Sequence, residues 1–84
     1  MQKNIKKPYK YEMPKNFSVE ITRKDKNICV TVYGVISIID LDREKCIFKV
    51  RGSNISVIGE GLAVNVFENN TCDVIGRVKG VNLL

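Results

Sequence analysis

The chain has 84 residues, 44% of them hydrophobic and 27% charged, with a formal charge of +5. That length holds one domain with a small core, and that composition is neither a disordered polymer nor a run of membrane spans. Histidine and tryptophan are absent, and the three cysteines (Cys29, Cys46, Cys72) are an odd, widely spaced set with no C-x-x-C. A disulfide framework, a zinc site and a histidine-based nucleophile are therefore not expected.

The charge is uneven along the chain. Residues 1–16 carry Lys3, Lys6, Lys7, Lys10 and Lys15 against Glu12, whereas the remaining 68 residues carry nine bases and eight acids. The basic character thus belongs to an N-terminal arm. Pro8 and Pro14 within it argue against a continuous helix. The reading is a flexible or extended arm over 1–16 joined to a single domain over 17–84.

From Phe17 onward the apolar period is close to two. Phe17, Val19 and Ile21 alternate with Ser18, Glu20 and Thr22, and the polar run Lys24-Asp25-Lys26-Asn27 predicts a turn. Ile28, Val30 and Val32 form the next strand, punctuated by Gly34. Residues 35–39 (Val-Ile-Ser-Ile-Ile) read as a short, more fully buried strand, followed by a turn over 40–45. Cys46 to Val50 resume the alternation, Arg51-Gly52-Ser53-Asn54 turns the chain, and Asn54–Ile58 makes a strand that Gly59-Glu60-Gly61 breaks. Leu62–Phe67, a turn at Glu68-Asn69-Asn70 and a last strand from about Cys72 to Leu83 complete the set, with Gly76 and Gly80 as expected bulges or close-approach points. No window has the helical period. The predicted fold is all-β: a small antiparallel meander curled into a roll, sandwich or partly open barrel. Its expected edges are the first strand and the last.

Val30-Thr31-Val32-Tyr33-Gly34, Asp40-Leu41-Asp42, Phe48-Lys49-Val50, Ile55 to Leu62 with its Gly59-Glu60-Gly61-Leu62 step, and Val74-Ile75-Gly76-Arg77-Val78 together resemble the YabP/YqfC family of bacterial sporulation proteins. Met13-Pro14-Lys15 is similar to the entry before the first strand in the YqfC branch, and the resemblance spans roughly residues 13–84. It implies a mother-cell protein of spore morphogenesis near the forespore outer membrane, with a sporulation membrane protein as partner. It implies no catalytic activity and no cofactor.

Other chemistry is sparse. Asp40, Asp42 and Glu44 are spaced as alternate acids, but a calcium loop counted from Asp40 would have Lys45 and Arg51 where glycine and glutamate are required. Turn acids are the simpler account. Cys29 and Cys46 have no histidine to act as base, so all three thiols read as reduced core residues in an intracellular protein. No catalytic, cofactor or metal residue is assigned. Gly59-Glu60-Gly61 lacks the helix and the G-K-[ST] ending of a phosphate loop.

Val50-Arg51-Gly52-Ser53-Asn54 is similar to the second signature of Sm-like RNA-binding rings, which makes a small RNA- or ssDNA-binding barrel the alternative reading. The near-neutral domain and the lack of an aromatic array weigh against it. The candidate contact residues are Lys3, Lys6, Lys7, Lys10 and Lys15, for a partner or an anionic membrane surface, and Arg51. The expected function is non-enzymatic assembly through sheet surface and edges, with homo-oligomerisation.

Overall fold

The computed structural model describes residues 14–84. Among these the chain is all-β, with six antiparallel strands in one open sheet and no helix. The strands are β1 (Ser18–Lys24), β2 (Asn27–Tyr33), β3 (Ser37–Leu41), β4 (Lys45–Val50), β5 (Ser53–Phe67) and β6 (Thr71–Leu83), in the spatial order β1-β2-β6-β5-β4-β3. β3 to β6 form a meander. β6 then comes back to lie against β2, which closes the arrangement around a pair formed by residues far apart in the chain.

The alternation read from the sequence sets which face each strand buries. In β2 the inward side chains are Val30 and Val32, in β4 Cys46, Phe48 and Val50, in β5 Ile55 and Val57, and in β6 Cys72 and Val74. All belong to one apolar cluster together with Val35 and Leu62. Two-residue turns at Asp25-Lys26 and Arg51-Gly52 hold the β1–β2 and β4–β5 hairpins in register, with Lys24 opposite Asn27 and Val50 opposite Ser53.

The long β5–β6 hairpin folds back on itself, and this gives the sheet an interior. The Gly34 N–H donates to the Asn70 carbonyl at 3.0 Å, and only two residues later the Ile36 N–H donates to the Lys49 carbonyl at 2.7 Å. Two extended residues span roughly 7 Å, so the tip of the β5–β6 hairpin must lie close to the end of β4. The first part of β5 (53–58) pairs with β4, whereas its later part pairs with β6 alone. Likewise Thr71–Ile75 of β6 pair on both sides and Gly76 pairs with β2 alone, but the rest of that strand pairs only with β5. The sheet therefore has two halves, one centred on β4 and one on β2, facing each other across the shared cluster.

The fold-back occurs where the register slips, between Ile58 and Gly59 and between Glu60 and Ala63. Gly76 sits opposite this point with φ +152, and a Cβ there would lie 2.9 Å from the Gly61 carbonyl oxygen. Only glycine fits that combination of torsion and contact. Gly34, at φ +85, is the second such point: its missing Cβ leaves room for the Asn16 backbone to pass.

Three expectations are corrected. The segment at 35–39 is not a buried strand. The strand is Ser37–Leu41 and exposed along its length, because it lies at the sheet's margin and only Val35, in the link before it, is buried. Gly59-Glu60-Gly61 does not end a strand, since β5 runs through it as a bulge. The last strand is not an outer strand of the sheet: β6 lies between β2 and β5, and the second margin is β3.

Candidate interaction surface

The described site candidates are dispersed. Lys15 is exposed in the bend just before β1, and Arg51 is exposed in the β4–β5 turn, where the left-handed φ of +80 at Gly52 closes the hairpin. Lys3, Lys6, Lys7 and Lys10 lie outside the described residues. Register places Arg51 at the same end of the sheet as the Val35–Ile36 link, and Lys45 and Lys49 share the outer face of β4.

The thiols are buried and free. Burial is the main force pushing the Cys46 and Cys72 thiols above their ordinary range. Nearby acids add to the rise, while a hydrogen bond donated by the Cys46 Sγ to the Asp42 carbonyl at 3.4 Å opposes it. Such thiols are poor nucleophiles. The acids of the β3–β4 connection are turn residues: the Asp42 carboxylate accepts the Glu44 N–H at 3.1 Å, and the Asp42 N–H donates to the Lys45 carbonyl at 2.9 Å. Asp40 stands opposite Ile47 on the outer face.

On the outer face of the β2-centred half, polar pairs cross the strands. Thr31 donates to Asp73 at 2.6 Å, and Tyr33 donates to Glu20 at 3.0 Å, which raises the Tyr33 phenol above its usual range. At the bend Glu60 accepts from Lys79 at 2.9 Å and lies 3.5 Å from Arg77. The Lys79 hydrogen bond is the first cause of a Glu60 carboxyl held below the ordinary range.

The distinctive feature is the gap along β3. Among the described residues β3 pairs with β4 alone, and on the side away from β6 the later part of β5 meets the β3–β4 connection, through the Gly59 N–H donating to the Glu44 carbonyl at 3.0 Å and the Leu62 N–H donating to the Arg43 carbonyl at 2.9 Å, with no strand paired to it beyond Leu62. Between these two margins runs an apolar slot. Near the Val35 link it holds a cavity of about 440 Å³ lined by residues that include Ile38, Val66, Phe67 and Cys72. Towards the bend it holds another of about 260 Å³ between Leu41 and Leu62 and Val64. Ile39 and Leu41 are each 51% exposed and Val66 61%.

Reading the sequence by its period of two misses this slot. The adjacent pair Ile38-Ile39 looks like core, yet the register shifts between Ile38 and Asp40, so Ile39 is the extra residue of a bulge. Two neighbouring apolar residues followed by an acid are the signal that could have shown it. Comparison with models of protein families, with curated protein sequences and with solved structures finds no match to this chain.

Proposed function

We propose that this protein is a non-enzymatic assembly component that binds protein partners, further copies of itself included, by strand pairing along β3. The observation that carries this reading is a sheet margin whose outer side has no strand partner among the described residues, with three large exposed apolar side chains, Ile38, Ile39 and Leu41. Unpaired N–H and C=O groups supply affinity for another strand, and alternate side chains supply selectivity. The setting we propose is spore morphogenesis, in the mother-cell cytoplasm at the forespore outer membrane with a sporulation membrane protein as partner. It rests on the similarity of residues 13–84 to the YabP/YqfC family.

The test is a crosslinked pull-down from sporulating cells with the native chain and with Ile39→Lys. Recovery of a spore-membrane or spore-assembly protein by the native chain, with loss by the variant, is the expected result. Equal recovery by both would remove β3 from the reading.

A second reading has its own observation. Arg51, Lys49 and Lys45 are exposed towards one end and one face of β4, a basic stripe that could follow a phosphate backbone. It predicts RNA or ssDNA affinity that falls steeply with salt and that Arg51→Ala lowers, measured by fluorescence anisotropy.

A further inference from the structure

The fold-back also shapes a polar concavity of about 580 Å³, to which Asn27, Glu60, Gly61, Gly76 and Arg77 contribute and β3 does not. Register brings its polar side chains into one row across four strands. Lys24 faces Asn27 across β1 and β2, Ile28 faces Gly76 one step before Arg77, and Arg77 faces Glu60 across β6 and β5. Lys24 and Arg77 thus stand two strands apart, about 10 Å, with Asn27 between them. Lys79 follows Arg77 on β6, and Lys26 lies in the turn beside Asn27. Set against Asp25 and Glu60, these four cations leave a net of +2.

One oxyanion is already seated here. The Glu60 carboxylate accepts from the Lys79 Nζ at 2.9 Å and lies 3.5 Å from the Arg77 Nη1. The Arg77 contact is too long for a strong hydrogen bond, and the side chain remains 77% exposed, so its planar fork of donors faces solvent. The floor beneath is bare backbone. A Cβ at Gly61, where φ is +61, would meet nothing within 4 Å, and Gly76 has no side chain to bar a ligand. Ala63 and Ile75, opposite each other, add a small apolar shelf.

We propose that this concavity binds the phosphate group of a small phosphate monoester, with Arg77 and Lys79 on the phosphate oxygens, Asn27 beside them and Glu60 displaced. A phosphate monoester carries about −1.5 to −2 charges at neutral pH and matches the guanidinium fork with two oxygens. A ligand carboxylate would merely exchange one single negative charge for another. Exposed ion pairs of this kind are weak, so Glu60 gives up its place readily. It acts as a placeholder that neutralises the cations while the site is empty, and the shelf takes the organic part of the ligand. The inference is independent of strand pairing along β3 and of the setting in which the protein works.

The experiment is a titration of the isotope-labelled full chain with AMP, inorganic phosphate and adenosine, followed by amide NMR. The expected result is a saturable shift of the Asn27, Gly61, Gly76 and Arg77 amides with AMP and with phosphate, and none with adenosine. Arg77→Gln should weaken AMP binding about tenfold, the loss of a charge-assisted hydrogen bond. Glu60→Gln should strengthen it about threefold, because no carboxylate then competes, a gain that a purely structural Glu60 would not produce. Both side chains are exposed, and the same spectra report whether each variant is folded. No saturation up to about 10 mM, equal shifts with adenosine, shifts centred on Lys45, Lys49 and Arg51, or affinities that the two variants leave unchanged would each overturn the inference.

Discussion

The two margins of the sheet are built differently. β1 carries Glu20, Arg23 and Lys24, ties Glu20 to Tyr33 across the strand pair, and leaves one large apolar side chain, Ile21, well exposed. β3 carries a single acid among Ile38, Ile39 and Leu41, and its bulge falls within that apolar run. Charge on a margin discourages pairing with another chain, whereas an apolar margin invites it. Among the described residues the sheet thus has one charged margin and one apolar margin, and the apolar margin borders the slot.

The largest effect expected concerns what lies beneath each margin. Phe48, opposite Ile38, is fully buried, and Phe48→Ala should cost about 3–5 kcal/mol in urea unfolding. Val30, opposite Ile21, is equally buried but smaller, and Val30→Ala should cost about 2 kcal/mol. Equal losses would mean that the two halves of the core are less distinct than the side chains suggest. At the bend joining those halves, Gly76→Ala should cost about 1–3 kcal/mol through its torsion and its contact with the Gly61 carbonyl. Gly80→Ala, with nothing nearer than the Asn82 amide at 4.0 Å, should change stability by less than about 0.5 kcal/mol.

The margins themselves are separated by a paired substitution. Ile39→Lys should weaken self-association about fivefold or more in analytical ultracentrifugation, with Ile21→Lys leaving it unchanged. A reversal of that order would make β1 the receptive edge. The smallest effect belongs to Glu60. Its carboxyl is held down first by the Lys79 hydrogen bond and then by the Lys79 and Arg77 charges, so its contribution is present above the ordinary carboxylate pKa and is lost as pH falls through the folded value. Glu60→Gln should flatten the acid limb of the urea midpoint against pH, slightly and without moving the alkaline limb.

The strand class was legible because valine and isoleucine alternate with polar residues through 17–33 and 46–50, and inward positions such as Val30, Val32, Phe48 and Val50 follow from that period alone. The order of strands was not. Which strand lies beside β2 depends on the fold-back at Gly59–Gly61 and Gly76, where local glycine signals are compatible with a turn, a break or a bulge. Hence β6 reads as a margin in sequence and proves interior, and Ile38-Ile39 reads as core and proves exposed. The candidate surface was legible only as the idea that edges bind. The slot needs two segments about 25 residues apart to face each other, and no local period carries that.

The pairing of β2 with β6 also sets a timetable. Thr31 bonds to Asp73, 42 positions later, so the first hairpin has no covering partner until the last strand has been made. Closing so long a loop before its contacts form is entropically costly, and topologies of this kind fold in milliseconds to seconds rather than microseconds. During that interval the valines of β2 face solvent on a newly made chain. Beside them, β1 carries Glu20, Arg23 and Lys24, charges of the kind that discourage a strand from pairing with a neighbouring chain.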